Sequence, residues 1–362
     1  MPQMDVDHRI EQASTLPSSF YKDREWFDRS KDAVFARSWQ WIGHADQAKV
    51  AGAVYPFTLL EGCLDEPLVL TRDSNDQVHL LSNVCTHRGM TVCEGIGNER
   101  FLRCRYHGRR FGLDGRFQHM PEFQDVVGFP TEADNLAMVP FGTWGPFLFA
   151  SLNPAKPIHE WFRPMLERLS WLPLSDFHFA QEGTRDYLVK ANWALYVDNY
   201  LEGFHIPFIH ASLNAAIDYE TYAYELFDCG NLQLAEAKDG EDCFDLPPSS
   251  PDYGRRIAAY YYWFFPNLML NFYPWGLSIN VIKPLGPNVT RVSFIRYVWQ
   301  PDRLGQGAGA ELDRVEREDE QVVELVQKGV QSRFYDRGRF SPKREIGTHQ
   351  FHVLLSQYLT GG

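Results

Sequence analysis

The sequence predicts an α+β chain in two parts, a small all-β domain followed by a larger domain of long strands with flanking helices. Three observations predict it. Short apolar runs broken by turn signals fill residues 53–151. Long aromatic runs and helical periodicities fill the second half. Within the first half, Cys85, His87, Cys104 and His107 stand at a spacing that suits a metal. At 362 residues the chain has room for two modest domains, and its 44% hydrophobic content can bury a substantial core.

The elements follow in order. Residues 20–38 read as a helix with Phe27, Val34 and Phe35 inward. The runs VYPFTLL, EPLVLTR and QVHLLSNV read as strands, with turns at Asp73-Ser74-Asn75-Asp76 and at Asp114-Gly115. Pro154 and Pro157 mark a linker. Helical periodicity returns at 158–171 and 191–205, two long aromatic strands are expected at 258–273 and 277–298, and helices at about 309–331 and 345–359. The division expected is an N-terminal helical segment (1–40) packing on the last domain, an all-β domain (41–155) and an α+β domain (156–362).

Charge narrows the function. A net charge of −12 argues against nucleic acid and anionic membranes as partners. No apolar run is long enough to span a bilayer. Residues Met1 to Thr15 are polar, carry Asp5, Asp7 and Glu11, and read as neither a secretory signal nor a transit peptide, so a cytoplasmic location is expected. There a disulfide framework among the six cysteines is not expected. No GxGxxG follows a strand, so NAD(P)H is expected to be used by a partner.

The segments NVCTHRGM and LRCRYHGRRF give Cys-x-His, then sixteen residues, then Cys-x-x-His. Two Cys and two His suit tetrahedral zinc or a Rieske [2Fe–2S] centre, in which two His replace two Cys on one iron. Each pair must come from one tight loop, and Gly89, Gly95, Gly97 and Gly108 supply turns. Zinc fingers usually pair Cys with Cys and His with His, whereas here each pair is mixed. Respiratory Rieske loops carry an extra Cys in each loop; Met90 and Tyr106 stand there instead. Cys93 reads as a small buried hydrophobe.

The second constellation is DNYLEGFHIPFIH, residues 198–210. Two His and a carboxylate with open positions form the facial triad of non-haem Fe(II) oxygenases. Glu202 and His205, three apart, are expected on one helical face. Pro207 is expected to kink or end that helix and let His205 and His210 converge; the alternative is two ordinary histidines. A third ligand comes from the later helix, whose apolar stripe Leu312, Val315, position 319, Val322, Val326 carries Asp319. A carboxylate there needs a metal or a buried Arg or Lys. Asp313, Glu316, Glu318 and Glu320 read as lying off the stripe.

The chain as a whole resembles the large (alpha) subunit of the Rieske non-haem iron oxygenase family, the ring-hydroxylating oxygenases, and is most similar to their choline, carnitine and betaine monooxygenase branch. Length and the C-terminal run VQKGVQSRFYDRGRFSPKREIGTHQFHVLL carry the second likeness. The resemblance implies an all-β Rieske domain before an α+β helix-grip (START-like) catalytic domain with an antiparallel sheet. It implies Cys85, His87, Cys104 and His107 on the cluster, His205, His210 and Asp319 on a mononuclear Fe(II), and Glu202 and Asp198 as catalytic residues. O2 is the implied co-substrate, with NAD(P)H serving through a ferredoxin or flavin reductase. It further implies a homotrimer in which His107 of one subunit approaches Glu202 of the next. The implied reaction is monooxygenation of a quaternary ammonium compound, with an aromatic-ring dihydroxylating dioxygenase as the alternative. Quaternary cations bind over aromatic faces, and Tyr260 to Phe265, Phe272, Tyr273 and Trp275 supply rings, although rings also pack sheet cores. Alternation puts Met269, Asn271 and Tyr273 on one face and Leu268, Leu270 and Phe272 on the other, without saying which faces a pocket. Arg105 and Arg109 depart from the family pattern. With Arg88, Arg100, Arg103, Arg110 and Arg116 they form a docking face for the reductase or pair with Glu94, Glu99 and Asp114.

Overall fold

A computed structural model describes residues 4–361. The chain forms two compact units, Trp39–Pro154 and a second unit built from the residues before and after it.

The first unit is all-β apart from short 3-10 turns. One sheet joins β1 (Gln40–His44), β10 (Phe147–Ala150) and β9 (Phe141–Trp144) in that order. A second runs β4 (Val78–Ser82), β3 (Glu66–Arg72), β2 (Ala53–Leu59) and β5 (Gly97–Asn98). A third joins β6 (Leu102–Arg103), β7 (Arg110–Phe111) and β8 (Phe117–His119). The turn from β3 to β4 closes because the Asp73 carboxylate accepts the N–H groups of Asn75 and Gln77 at 2.8 and 2.9 Å, as short polar side chains do in turns. Val54, Val69, Leu81, Leu102, Phe111, Leu113 and Leu136 form the core, and Cys85 and Cys104 pack into it.

The second unit is built on an eight-stranded antiparallel sheet in the order β11 (His178–Phe179), β18 (Val289–Val298), β17 (Gly276–Gly286), β16 (Leu268–Tyr273), β15 (Ile257–Phe264), β14 (Gly230–Glu236), β13 (Ala223–Phe227). Strand β12 (Arg185–Val189) also pairs with β18. The two long strands expected at 258–273 and 277–298 are each a hairpin. The first breaks at Phe265-Pro266-Asn267, where Pro266 has no N–H for a ladder. The second breaks at Pro287-Asn288.

Helices flank this sheet: α1 (Arg24–Ser30), α2 (Ile158–Arg168), α3 (Trp193–Tyr200), the short α4 (Ile206–Ile209) and α5 (Ala211–Ala216), α6 (Leu312–Val330) and α7 (Ile346–Thr360). Helix α3 is apolar nearly all round and buried from Trp193 to Val197. It packs on α6 and α7. Its start is set by Asn192, whose side chain accepts from the Ala194 N–H at 2.9 Å and whose own N–H donates to the buried Gln327 of α6 at 2.7 Å. Helix α1 runs on through a π turn (Lys31–Phe35), and Phe35 meets Trp193 edge-on with centroids 4.9 Å apart. Among the described residues no helix is long and apolar enough to cross a membrane.

Candidate metal centres and the pocket between helix and sheet

In the first unit, two loops of matching construction carry the Cys and His residues. The Cys85 N–H donates to Met90 O (2.8 Å) and the Gly89 N–H to Cys85 O (2.9 Å). The Cys104 N–H donates to Arg109 O (2.9 Å) and the Gly108 N–H to Cys104 O (3.0 Å). Each loop therefore closes on a glycine four residues after its cysteine, at φ of 72° and 78°, the left-handed region that favours glycine. Gly95 and Gly97 do not adopt that region. The loops face each other. His87 Nδ1 lies 3.1 Å from His107 Nδ1. The thiols of Cys85 and Cys104 are both buried, and burial, with Cys104 beside it, pushes the Cys85 thiol up. Two buried sulfurs on one side and two converging imidazole Nδ1 atoms on the other fit a cluster with two Cys on one iron and two His on the other.

The arginines around these loops divide. Arg105 pairs with Glu94, and Arg116 lies 3.6 Å from Asp114. Arg109 is only 2% exposed, donates to Asp134 Oδ1 at 2.6 Å and lies over the Phe117 ring. Arg110 covers the Phe101 ring. These four serve the domain's own packing and pairing. Arg88, Arg100 and Arg103 are exposed.

In the second unit, the segment after α3 builds the other centre. The expected single helix through 191–205 does not form. Helix α3 stops at Tyr200, and Glu202 and His205 lie in the turn that follows. Glu202 and His205 thus meet across a turn and not along a helical face. The His205 N–H donates to Glu202 Oε2 at 3.0 Å, and His205 Nδ1 lies 2.6 Å from Glu202 Oε1. The Gly203 N–H is held by the Tyr224 hydroxyl at 2.9 Å. Pro207 ends nothing; it sits in the first turn of α4, where a missing N–H costs no hydrogen bond. His205 caps that four-residue helix at one end and His210 at the other.

Both imidazoles turn toward α6. His205 Nε2 and His210 Nε2 are 3.1 Å apart. Asp319 Oδ1 is 3.0 Å from His210 Nε2 and 3.5 Å from His205 Nε2. These three side chains form a group that could hold one metal ion. The outer nitrogen of His210 is also held, by Glu318 Oε2 at 2.8 Å. Burial disfavours a proton on His205, but hydrogen bonds to Asp319 and Glu202 overcome it and push the imidazole to about 10. Burial likewise works against the Asp319 carboxylate, yet His205 and His210 hold it below the ordinary range. Three carboxylates around two imidazoles demand a cation. Protons supply it without a metal, and two His with one carboxylate fit a ferrous ion with open positions.

The apolar stripe on α6 needs revision. Val326 is exposed, and the buried residues are Val323, Gln327 and Val330. The helix turns its inner face past the predicted seam, so acidic residues expected off the stripe have inward roles. Glu318 holds His210, Glu316 lines the pocket, and Glu320 has a buried oxygen. Asp313 accepts from Tyr187 at 2.6 Å. Asp198 belongs to a separate network. One oxygen accepts from Tyr21 at 2.8 Å and the other lies 2.7 Å from His352 Nε2. It ties α3 to α7 and to the N-terminal segment, and it is not among the residues that line the pocket beside His205, His210 and Asp319.

A pocket opens on the triad. The sheet contributes Gln233, Tyr261, Asn271, Tyr273, Ser278, Asn280 and Phe294. Register explains the selection: Gln233, Tyr261, Asn271 and Ser278 are cross-strand partners in one row. The pocket face is thus the one bearing Asn271 and Tyr273, while Tyr260, Tyr262 and Phe272 belong to the opposite face.

Comparison with known proteins agrees with this geometry. The family described as Rieske [2Fe-2S] domain matches residues 38–130, and that described as ring hydroxylating alpha subunit (catalytic domain) matches residues 176–361. The chain is 32% identical to the chloroplastic choline monooxygenase of Arabidopsis thaliana, over 97% of this chain and 84% of that protein. It is 28% identical to the carnitine monooxygenase oxygenase subunit of Escherichia coli (strain K12), over 96% and 94%. In fold it is similar to a quaternary ammonium Rieske monooxygenase solved with L-carnitine (TM-score 0.77, 23% identity, 99% of each chain). It is also similar in fold to a naphthalene 1,2-dioxygenase from Rhodococcus sp. (TM-score 0.71, 20% identity, 95% and 93%). A chain that carries both domains along nearly its whole length, with a close curated relative, belongs to the Rieske-type ring-hydroxylating oxygenases as an alpha subunit.

Proposed function

We propose that this oxygenase hydroxylates a small quaternary ammonium compound by monooxygenation. The observation that carries the reading is the pocket beside His205, His210 and Asp319, walled by the rings of Tyr200, Tyr222, Tyr261 and Tyr273. Aromatic faces attract a desolvated quaternary cation by up to about 2 kcal/mol each. The choline and carnitine monooxygenases among its relatives act on molecules of that kind.

When bound, the cluster and the mononuclear iron supply the electron relay and the activation of O2. The protein's own part is positioning. Glu202 and Glu318 fix the two imidazoles through their outer nitrogens, which sets the tautomer and keeps both Nε2 atoms pointed at one place. The tyrosines stay neutral, since burial pushes Tyr200, Tyr222 and Tyr261 up, so they offer ring faces and no anion.

We infer a homotrimer in which His107 of one subunit meets Glu202 of its neighbour. Two exposed aromatic patches support it. Tyr106, 56% exposed, stacks on His107, and Phe208, 77% exposed, follows His205 closely in sequence. Electrons come from a ferredoxin or flavin reductase that consumes NAD(P)H. None of the six cysteines forms a disulfide, which suits the reducing cytoplasm.

Turnover with a reductase and 18O2 tests the function on choline-like, betaine-like, carnitine-like and aromatic acid substrates. One labelled oxygen per ammonium substrate consumed is expected. A doubly labelled cis-diol from an aromatic acid, with ammonium compounds untouched, would replace this reading by ring dihydroxylation.

A further inference from the structure

We propose that Glu316 reads the positive charge of the substrate, and that the pocket thereby selects a net cation over a zwitterion. The proposal rests on the ammonium reading above and deepens it.

Glu316 stands one helical turn before Asp319, so both side chains project from the same face of α6. Both line the pocket, with Leu312 and Val315 beside them. Glu316 has no part in fixing the ligands, because the outer nitrogens of His205 and His210 are taken by Glu202 and Glu318. Among the described residues no donor or cation lies within bonding distance of its carboxylate. Burial works strongly against its charge, with Arg296 as the one opposing influence. Arg296 does not line the pocket; its guanidinium lies over the Trp275 ring at 5.5 Å. A carboxylate in this setting is costly unless something positive completes it. The metal chemistry leaves Glu316 over, and the open side of Glu316 is the pocket.

The rest of the lining supports a cation and rejects an anion. It contains Glu202, Glu316 and Asp319 but no Lys or Arg. The Tyr200 hydroxyl donates to Asn271 at 2.7 Å and the Tyr222 hydroxyl to Gln233 at 3.2 Å, so these phenols are spent inside the protein. The sheet floor offers the neutral groups of Gln233, Asn271, Ser278 and Asn280. A hydroxyl suits such a floor. Glu202 and Asp319 are engaged with His205 and His210, so away from the metal ligands a substrate carboxylate would meet Glu316 and neutral groups, with no Lys or Arg in the lining to compensate it. The fitting class is an aminoalcohol-type quaternary cation, in preference to betaine- or carnitine-type zwitterions.

The test is calorimetric titration of the anaerobic holoenzyme with choline, glycine betaine and 3,3-dimethylbutan-1-ol, the uncharged isostere of choline. Wild-type enzyme is expected to bind choline at least about tenfold more tightly than either of the others. Glu316→Gln should weaken choline by about tenfold or more and leave the isostere unchanged. Glu316→Asp should recover part of the loss, and the visible cluster spectrum shows that each variant is folded and loaded. Equal loss of choline and isostere in Glu316→Gln, or no loss of choline, overturns the role of Glu316. Glycine betaine bound as tightly as choline overturns the selection of a net cation while leaving the ammonium reading intact. If none of the quaternary compounds binds, the ammonium reading itself falls, and this inference with it.

Discussion

Each imidazole of the mononuclear centre is gripped from behind by a carboxylate, and the two grips have different origins. Glu202 lies three residues from His205 in one turn, whereas Glu318 reaches His210 from α6 and is itself held by Arg314 at 3.0 Å. His210 is 1% exposed, so without Glu318 its Nδ1 has no water to turn to. Glu318→Ala is expected to lower ferrous affinity by about 10–100-fold while the cluster absorbance stays unchanged. Iron titration of the metal-free centre measures it, and wild-type affinity in the variant would remove the role. Asp319 was legible in the sequence because a charge inside an apolar stripe demands a partner. Glu318 was not, because its partner arrives from a segment 108 residues away, and periodicity carries no trace of that.

At the scale of elements, one buried tie in the second unit is ionic. Asp252, 2% exposed, accepts from Arg168 of α2 at 2.8 Å, from Arg255 at 3.0 Å and from the Tyr260 hydroxyl of β15 at 3.0 Å. Arg168 also reaches Glu225 of β13, so helix and sheet are joined at one point. Asp252→Ala should destabilise the unit by about 3 kcal/mol, since it leaves the half-buried Arg168 with Glu225 alone and takes the buried acceptor from the Tyr260 hydroxyl. Burial pushes the Asp252 carboxyl up, but Arg168, Tyr260 and Arg255 more than reverse it and hold it below its ordinary value. Its contribution is therefore present above the unfolded value of about 3.9 and lost as pH falls through the lower folded value. Urea midpoints of wild type and variant should differ widely at pH 7 and begin to converge only as pH falls below about 4. A gap independent of pH would assign the effect to packing alone.

Elements also show what pattern can and cannot disclose. Helices α2, α6 and α7 were legible from periodicity, and β2, β3 and β4 from short apolar runs between turn residues. The break after Tyr200 was not, because DNYLEGFH reads as continuous helix and only the hold of Tyr224 on Gly203 and of Glu202 on His205 reveals the turn. The aromatic stretch 258–273 hid a hairpin for a related reason. Both strands are buried on both faces, so polarity gives no mark at the turn, and only Pro266 does.

On the scale of the whole molecule, the proposed trimer makes each mononuclear centre depend on a neighbour's cluster. Two variants test this: His107→Ala, which disables the cluster, and Asp319→Ala, which disables the mononuclear centre. Each alone should be inactive with a reductase. Co-expressed, they should recover turnover, because some interfaces then join an intact cluster to an intact iron centre. No recovery in mixed trimers that contain both would mean that electrons do not cross between subunits.

Helix α4 has four residues between its two histidines, far below the length at which a helix persists unaided. Metal at His205 and His210 would clamp both ends of that single turn, so loading the site and folding the segment are one equilibrium. Amide hydrogens of Phe208, Ile209 and His210 should therefore exchange with solvent faster once iron is stripped, while those of β16 and β17 keep their protection. Iron status would then become a property that proteases can sense: starved enzyme would offer them an unwound loop between His205 and His210, and loaded enzyme would not.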